Sequence, residues 1–265
     1  MTIISNIFAI FQRELQSYFG SPLAYIVAAV FWLITGFFFV SILLSPGGII
    51  AMTAQQEQMG YPMPPIDVAY EFLSWFLDVI GSLILFIMPI LSMGLYAEER
   101  KRGTLELLAT SPLTNWSVAV GKLLGVVVFF TVMLFPLLIY QAIAFSATNP
   151  PINLTVPLLA HLGVILLAAS VLSLGMFISS LTDSSIIAAI LTFALILFLW
   201  LIDLIANNMT GFLGEVLGHL SLLKHYKNFI QGVFDLGSLT LFLSYIILGI
   251  FLTAQSIETL RFQRS

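Results

Sequence analysis

The spacing of charge constrains this chain more than any other feature. Between Glu14 and Glu57, and again between Lys122 and Asp183, it carries no Asp, Glu, Lys or Arg. Apolar runs of about 18 residues or more are long enough to cross a bilayer, and such runs fill most of the sequence. A soluble domain carries about 25% charged residues. Here the share is 8%, with 60% hydrophobic residues and a mean hydropathy of +1.07. A soluble protein with buried helices would need polar faces that these segments lack. The expectation is an all-α, polytopic membrane protein.

There is no cysteine, which excludes disulfides, thiolate metal sites and cysteine nucleophiles. The first dozen residues lack a basic leader and a small-residue cleavage site, so no cleavable signal peptide is expected.

Residues 3–19 place Ile4, Ile7, Phe8, Phe11, Leu15, Tyr18 and Phe19 at helical spacing, interrupted by Arg13, Glu14 and Gln16. Those charges forbid a comfortable span, and the pattern predicts an amphipathic helix in the membrane interface. Six spans follow, at 22–45, 76–97, 117–145, 156–181, 185–205 and 238–259, within a single membrane domain. Ser21-Pro22 and Ser111-Pro112 read as helix starts and Gly20 and Gly103 as stops. Residues 46–66 read as a loop. The second helix is predicted to begin near Asp67 and to continue beyond its span to Arg102.

Seven basic residues, Arg13, Arg100, Lys101, Arg102, Lys122, Arg261 and Arg264, fall on one side of these spans, and only Lys224 and Lys227 on the other. The bias predicts cytoplasmic termini. Residues 206–237 are apolar but divide into Phe212–Leu223 and Tyr226–Phe234, each too short to cross. Lipid does not tolerate exposed backbone, so this stretch is predicted to form short re-entrant helices in the outer leaflet.

Motifs for chemistry are missing. Gly121-Lys122 lacks the rest of a phosphate-binding loop, there is no H-E-x-x-H, and His161, His219 and His225 are scattered. The middles of the spans are nearly free of the ionisable groups that mark coupled transporters. No catalytic residue, metal site or cofactor is expected in this chain, so any work it performs must be driven from outside. A lipid-modifying intramembrane enzyme and a passive membrane anchor are the alternatives.

The likeliest point of contact for such a drive is residues 98–111, where charge is concentrated and interleaved with leucines. Glu98 and Arg102 are spaced for a favourable pair. Thr104 after Gly103 can cap a helix carrying Leu105, Glu106, Leu107, Leu108 and Thr110, too short to be stable alone. A basic anchor alone would explain neither the glutamates nor the leucines.

From Glu98 to Lys122, "EERKRGTLELLATSPLTNWSVAVGK" resembles the cytoplasmic coupling segment of type-2 ATP-binding-cassette (ABC) transporter permeases. The resemblance is closest to the branch that includes the gliding-motility and nitrous-oxide-reductase maturation transporters. "FQRELQSYFGSPLAYI", "ISSLTDSSIIAAIL" and "LSLLKHYKNFIQGVFDLGSL" agree with it, although "HYKNFIQGV" is more basic than the family pattern. The resemblance implies a permease in a bacterial inner membrane, working as an exporter or extractor. It implies a second permease subunit, two separate ATPase subunits that bind ATP and magnesium, and an additional extracytoplasmic partner in many members. Nucleic acid is not among the expected partners. ATPase contacts carry over to Arg13 and Glu14, to Glu98, Glu99, Arg102, Gly103, Thr104, Leu105, Glu106, Leu107, Leu108 and Thr110, and to Thr182, Asp183 and Ser184. Residues 206–237, with Phe212, Leu220, His225, Tyr226, Phe229 and Asp235, would close the outer end of the pathway.

Overall fold

Capping hydroxyls, glycines and prolines set the helix boundaries in the computed structural model, which describes residues 3–59, 67–105, 113–146, 148, 151–209 and 211–262. The first helix, α1 (Ile3–Gly20), stops at Gly20, and Pro22 opens α2 (Pro22–Leu44) from the first helical position. Ser21 precedes it without a side-chain capping bond. A short α3 (Ile49–Met59) lies within the stretch expected to be a loop. Ile49 at its start is fully buried and anchors it to the bundle.

The second span is interrupted. α4 (Val68–Ser92) is capped by Asp67, whose carboxylate accepts from the Tyr70 amide, and it contains Pro89. It gives way at Met93 to α5 (Gly94–Lys101), which Gly103 ends with a positive φ of 68°. The third span starts at Asn115, where the Thr114 hydroxyl accepts from the Ser117 amide. The helix start expected at Ser111-Pro112 lies outside the described residues. This span too is divided, into α6 (Asn115–Met133) and α7 (Phe135–Ser146). Pro136 has no amide to donate and so breaks the ladder. Trp32 of α2 donates its indole N–H to the Met133 carbonyl beside the break, at 2.9 Å.

The remaining helices are α8 (Thr155–Leu181), α9 (Ser185–Asn208), two short helices α10 (Phe212–Leu220) and α11 (Leu222–Ile230), and α12 (Leu236–Phe262). Among the described residues, six helical runs are long and apolar enough to cross a membrane. The chain is therefore a polytopic all-α membrane protein.

The core gathers around α8, which is buried over most of its surface, whereas α9 and α12 leave most of theirs exposed. α8 packs against α4, α5, α6, α9, α11 and α12. Close approach to α12 comes from Gly249, where an added Cβ would lie 2.6 Å from the Ser173 backbone carbonyl carbon. Ser170 and Ser173 donate across this interface to the carbonyls of Phe242 and Tyr245, each at 3.2 Å. Such small residues let helices meet where lipid supplies no hydrophobic driving force.

Candidate functional site

At one end of the bundle, charged residues of α1, α5 and α6 come together. α1 lies flush on the start of α6 because Gly121 and Gly125 leave room: a Cβ at either would stand 2.8 Å from Ile10 or Glu14. This places Glu14 over Lys122. Lys122 is 4% exposed and directs its ammonium at three acceptors. They are Glu14 Oε2 at 3.1 Å, Glu99 Oε1 at 3.0 Å and the Leu95 carbonyl at 2.8 Å. The ammonium also lies 5.1 Å from the centre of the Tyr96 ring. An ammonium has three donors, and all three are used, so one side chain of α6 binds α1 and α5 together.

The break at Met93 lies next to this ion cluster. Ser179 of α8 accepts from the amides of Tyr96 and Ala97, at 3.1 and 3.0 Å, and donates to the Met93 carbonyl at 2.8 Å. One hydroxyl thus satisfies groups on both sides of an interruption that would otherwise strand them. Tyr18 of α1 donates to the Leu91 carbonyl at 2.5 Å. Burial first, then Glu14 and Glu98, push the Tyr18 phenol well above its ordinary pKa, keeping it a donor. Arg100 reaches the Ser180 carbonyl at 3.0 Å.

The expected contact residues divide into two groups. Glu14 and Glu99 are turned inward onto Lys122, with side chains 15% and 17% exposed. Leu105 is buried in the chain's own core. Arg13, Glu98, Arg102, Gly103, Thr104 and Asp183 face outward, while Thr182 and Ser184 are half-buried. The Glu98–Arg102 pair forms at 3.4 Å but is exposed, a setting in which an ion pair contributes little. The Thr104 hydroxyl points back to the Glu99 carbonyl, and Ser184 caps α9. Glu106, Leu107, Leu108 and Thr110 lie outside the described residues. Beside the cluster, between α1, α2 and the α4–α5 break, is a cleft of about 110 Å³. Glu14, Tyr18 and Glu98 line it on one side, and Ala24, Val27 and Ile90 on the other.

The profile of the ABC-2 type transporter family matches residues 5–203, which include all of this end of the bundle except the last turns of α12. The chain belongs to the ABC-2 type transporter family. A search of curated proteins finds no match. The ABC-2 chain is thus the membrane permease subunit of an ABC transporter, and the family match stops within α9, before the short helices at the opposite end.

At that opposite end of the ABC-2 permease, α11 is locked between α4 and α8. Tyr226 donates to the Leu77 carbonyl at 2.6 Å, and Tyr226 and Phe229 are both buried. Phe212 and Leu220 are exposed instead. Asp235 accepts from the amides of Gly237 and Ser238 and from the Ser238 hydroxyl, which makes it the cap of α12. Those bonds, led by the hydroxyl, hold its pKa below the ordinary value. His225 Nδ1 lies 2.7 Å from the same Ser238 hydroxyl, and burial lowers the His225 pKa. Ser, His and Asp therefore meet, but not as a nucleophilic triad. Ser238 is fully buried, and its hydroxyl donates a hydrogen bond to the aspartate, which caps α12 rather than orienting the histidine.

Sequence reasoning treated Lys122 as one more basic flanking residue. The one available signal was Lys122's position two turns inside a helix that otherwise carries no charge.

Proposed function

We propose that this permease couples ATP hydrolysis by a separate ATPase subunit to the movement of a hydrophobic, lipid-linked or extended polymeric cargo across or out of the membrane. The observation that carries the reading is the clustering of charge at the single end where α1, α5 and α6 converge, in a chain of the ABC-2 family. Among the described residues of the spans, nothing resembles an ion-coupling site. ATP and magnesium would belong to the partner ATPase, and this chain would supply the docking face. Two permeases and two ATPases would form the working unit, because one permease has no energy source. A bacterial inner membrane with both termini cytoplasmic agrees with the basic-residue bias. An additional extracytoplasmic partner follows from the family resemblance and not from the basic stretch around Lys224 and Lys227.

The docking arrangement is tested through Leu107 and Leu108. Interface energy concentrates in a few buried apolar anchors, each worth ~2 kcal/mol or more, and exposed charges add little. Leu107→Ala with Leu108→Ala should abolish ATPase co-purification or uncouple hydrolysis from transport, whereas reversal of Lys101 should do less. Normal recovery and transport in the double variant would sink the docking reading.

The orientation is tested separately. Cysteines placed at Gln55 and Asn208 should react with an impermeant maleimide on intact cells, and one at Asp183 should not. Labelling of Asp183 from outside would reverse the topology.

A further inference from the structure

We propose that Lys122 is a positioning residue for coupling. It makes α5, α1 and the first turns of α6 move as one body, jointed to α4 at Met93. The inference rests on the reading above, in which an ATPase docks beside α5.

Two independent features carry it. The first is the joint. α4 and α5 are separate helices, and the groups around their junction are bonded to side chains from elsewhere. Leu91 O is held by Tyr18, Met93 O and the Tyr96 and Ala97 amides by Ser179, and Leu95 O by Lys122. Met93 itself keeps helical torsions and its amide bonds Pro89 O, so the joint is a local interruption within one helical run. The geometry of these side-chain-bonded groups depends on three other helices, so α5 can change direction relative to α4 without melting either.

The second feature is the tie. Lys122 uses its whole donor set on α1 and α5, and both carboxylates that it binds are largely withdrawn from solvent. In that setting charge-assisted bonds are strong and weakly screened. The exposed Glu98–Arg102 pair joins only neighbours on the same stretch of chain and can transmit nothing to another element. A displacement of α5 is therefore delivered through Lys122 to Glu14, and α1 follows because it also lies flush against Gly121 and Gly125 of α6. The interfacial helix becomes part of the moving element rather than a passive float.

The test uses the permease co-expressed with its ATPase, in nanodiscs, by hydrogen exchange with and without ATP and vanadate. In the wild type, Ile3–Gly20 and Glu98–Leu105 should change protection together. In Lys122→Met, Glu98–Leu105 should still respond while the response of Ile3–Gly20 is lost. The triple variant Glu14→Gln, Glu99→Gln, Lys122→Met avoids stranded charge and so covers the case in which the single variant does not fold; it should show the same loss. A merely structural tie would leave the nucleotide-dependent change in α1 intact. A wild-type response of α1 in the triple variant therefore overturns the proposal. If the wild type binds no ATPase, or its Glu98–Leu105 segment is indifferent to nucleotide, it is the docking reading that has failed, and this proposal fails with it.

Discussion

Lys122→Met should destabilise the isolated permease by about 3–5 kcal/mol, the cost typical of breaking a buried ion pair from one side. The substitution preserves most of the apolar stem, so packing against Tyr96 changes little. What it removes is the only side-chain cation bonded to Glu14 and Glu99 among the described residues. Two carboxylates then remain in a partly desolvated site, facing each other and the Leu95 carbonyl. The energetic argument is asymmetric: stranding charge is expensive, whereas removing all of it can be nearly neutral. Glu14→Gln and Glu99→Gln, added to Lys122→Met, should therefore restore most of the lost stability. Thermal aggregation of purified protein, followed by size-exclusion, compares the variants. A single variant as stable as the wild type would mean that water reaches these side chains freely. A triple variant no better than the single would mean that Lys122 stabilises through packing or its bond to Leu95, not through charge.

The physical character of each segment decided how much could be read beforehand. Spans are properties of local composition, so the all-α membrane class and the approximate helix limits were legible from uncharged runs, Gly20, Gly103 and the turn at Thr182–Ser184. The two short helices beyond α9 were legible as segments too short to cross a bilayer, but they run over Phe212–Leu220 and Leu222–Ile230 rather than the expected Phe212–Leu223 and Tyr226–Phe234. α3 was not legible, since its second half is polar and the burial of Ile49 against the rest of the chain is a tertiary feature. The break at Met93 was illegible for a different reason. Pro89 hints at irregularity, but what stabilises the interruption is Ser179, more than eighty residues later in the chain. The same nonlocality hid the ion cluster. A count of basic residues places Lys122 correctly at its end of the bundle but cannot say that its ammonium turns inward. Its partners stand 108 and 23 residues away. Glu14 and Glu99 were read as contacts for a partner, and nothing in the sequence signalled that both carboxylates bind Lys122.

The second large effect concerns the opposite end, where two glycines act as sockets for α11. A Cβ at Gly81 would lie 2.4 Å from Cε1 of Tyr226, and a Cβ at Gly163 would lie 2.5 Å from Cβ of Phe229. Overpacking of this kind costs about 1–3 kcal/mol at a site that cannot give, and both aromatic residues are fully enclosed. Gly81→Ala and Gly163→Ala should each dislodge α11, read as faster labelling of a cysteine placed at Asn228. The two clashes differ in which atom is struck, and so in what relieves them. At Gly81 the obstacle is the ring, so Gly81→Ala should add no further labelling or instability to Tyr226→Ala. At Gly163 the obstacle is the β-carbon, which Phe229→Ala keeps, so Gly163→Ala should remain additive with it and be relieved only by Phe229→Gly. These cycles measure the sockets directly, because contacting pairs are where additivity fails. Equal additivity in both cycles would show that α11 is not seated against these glycines.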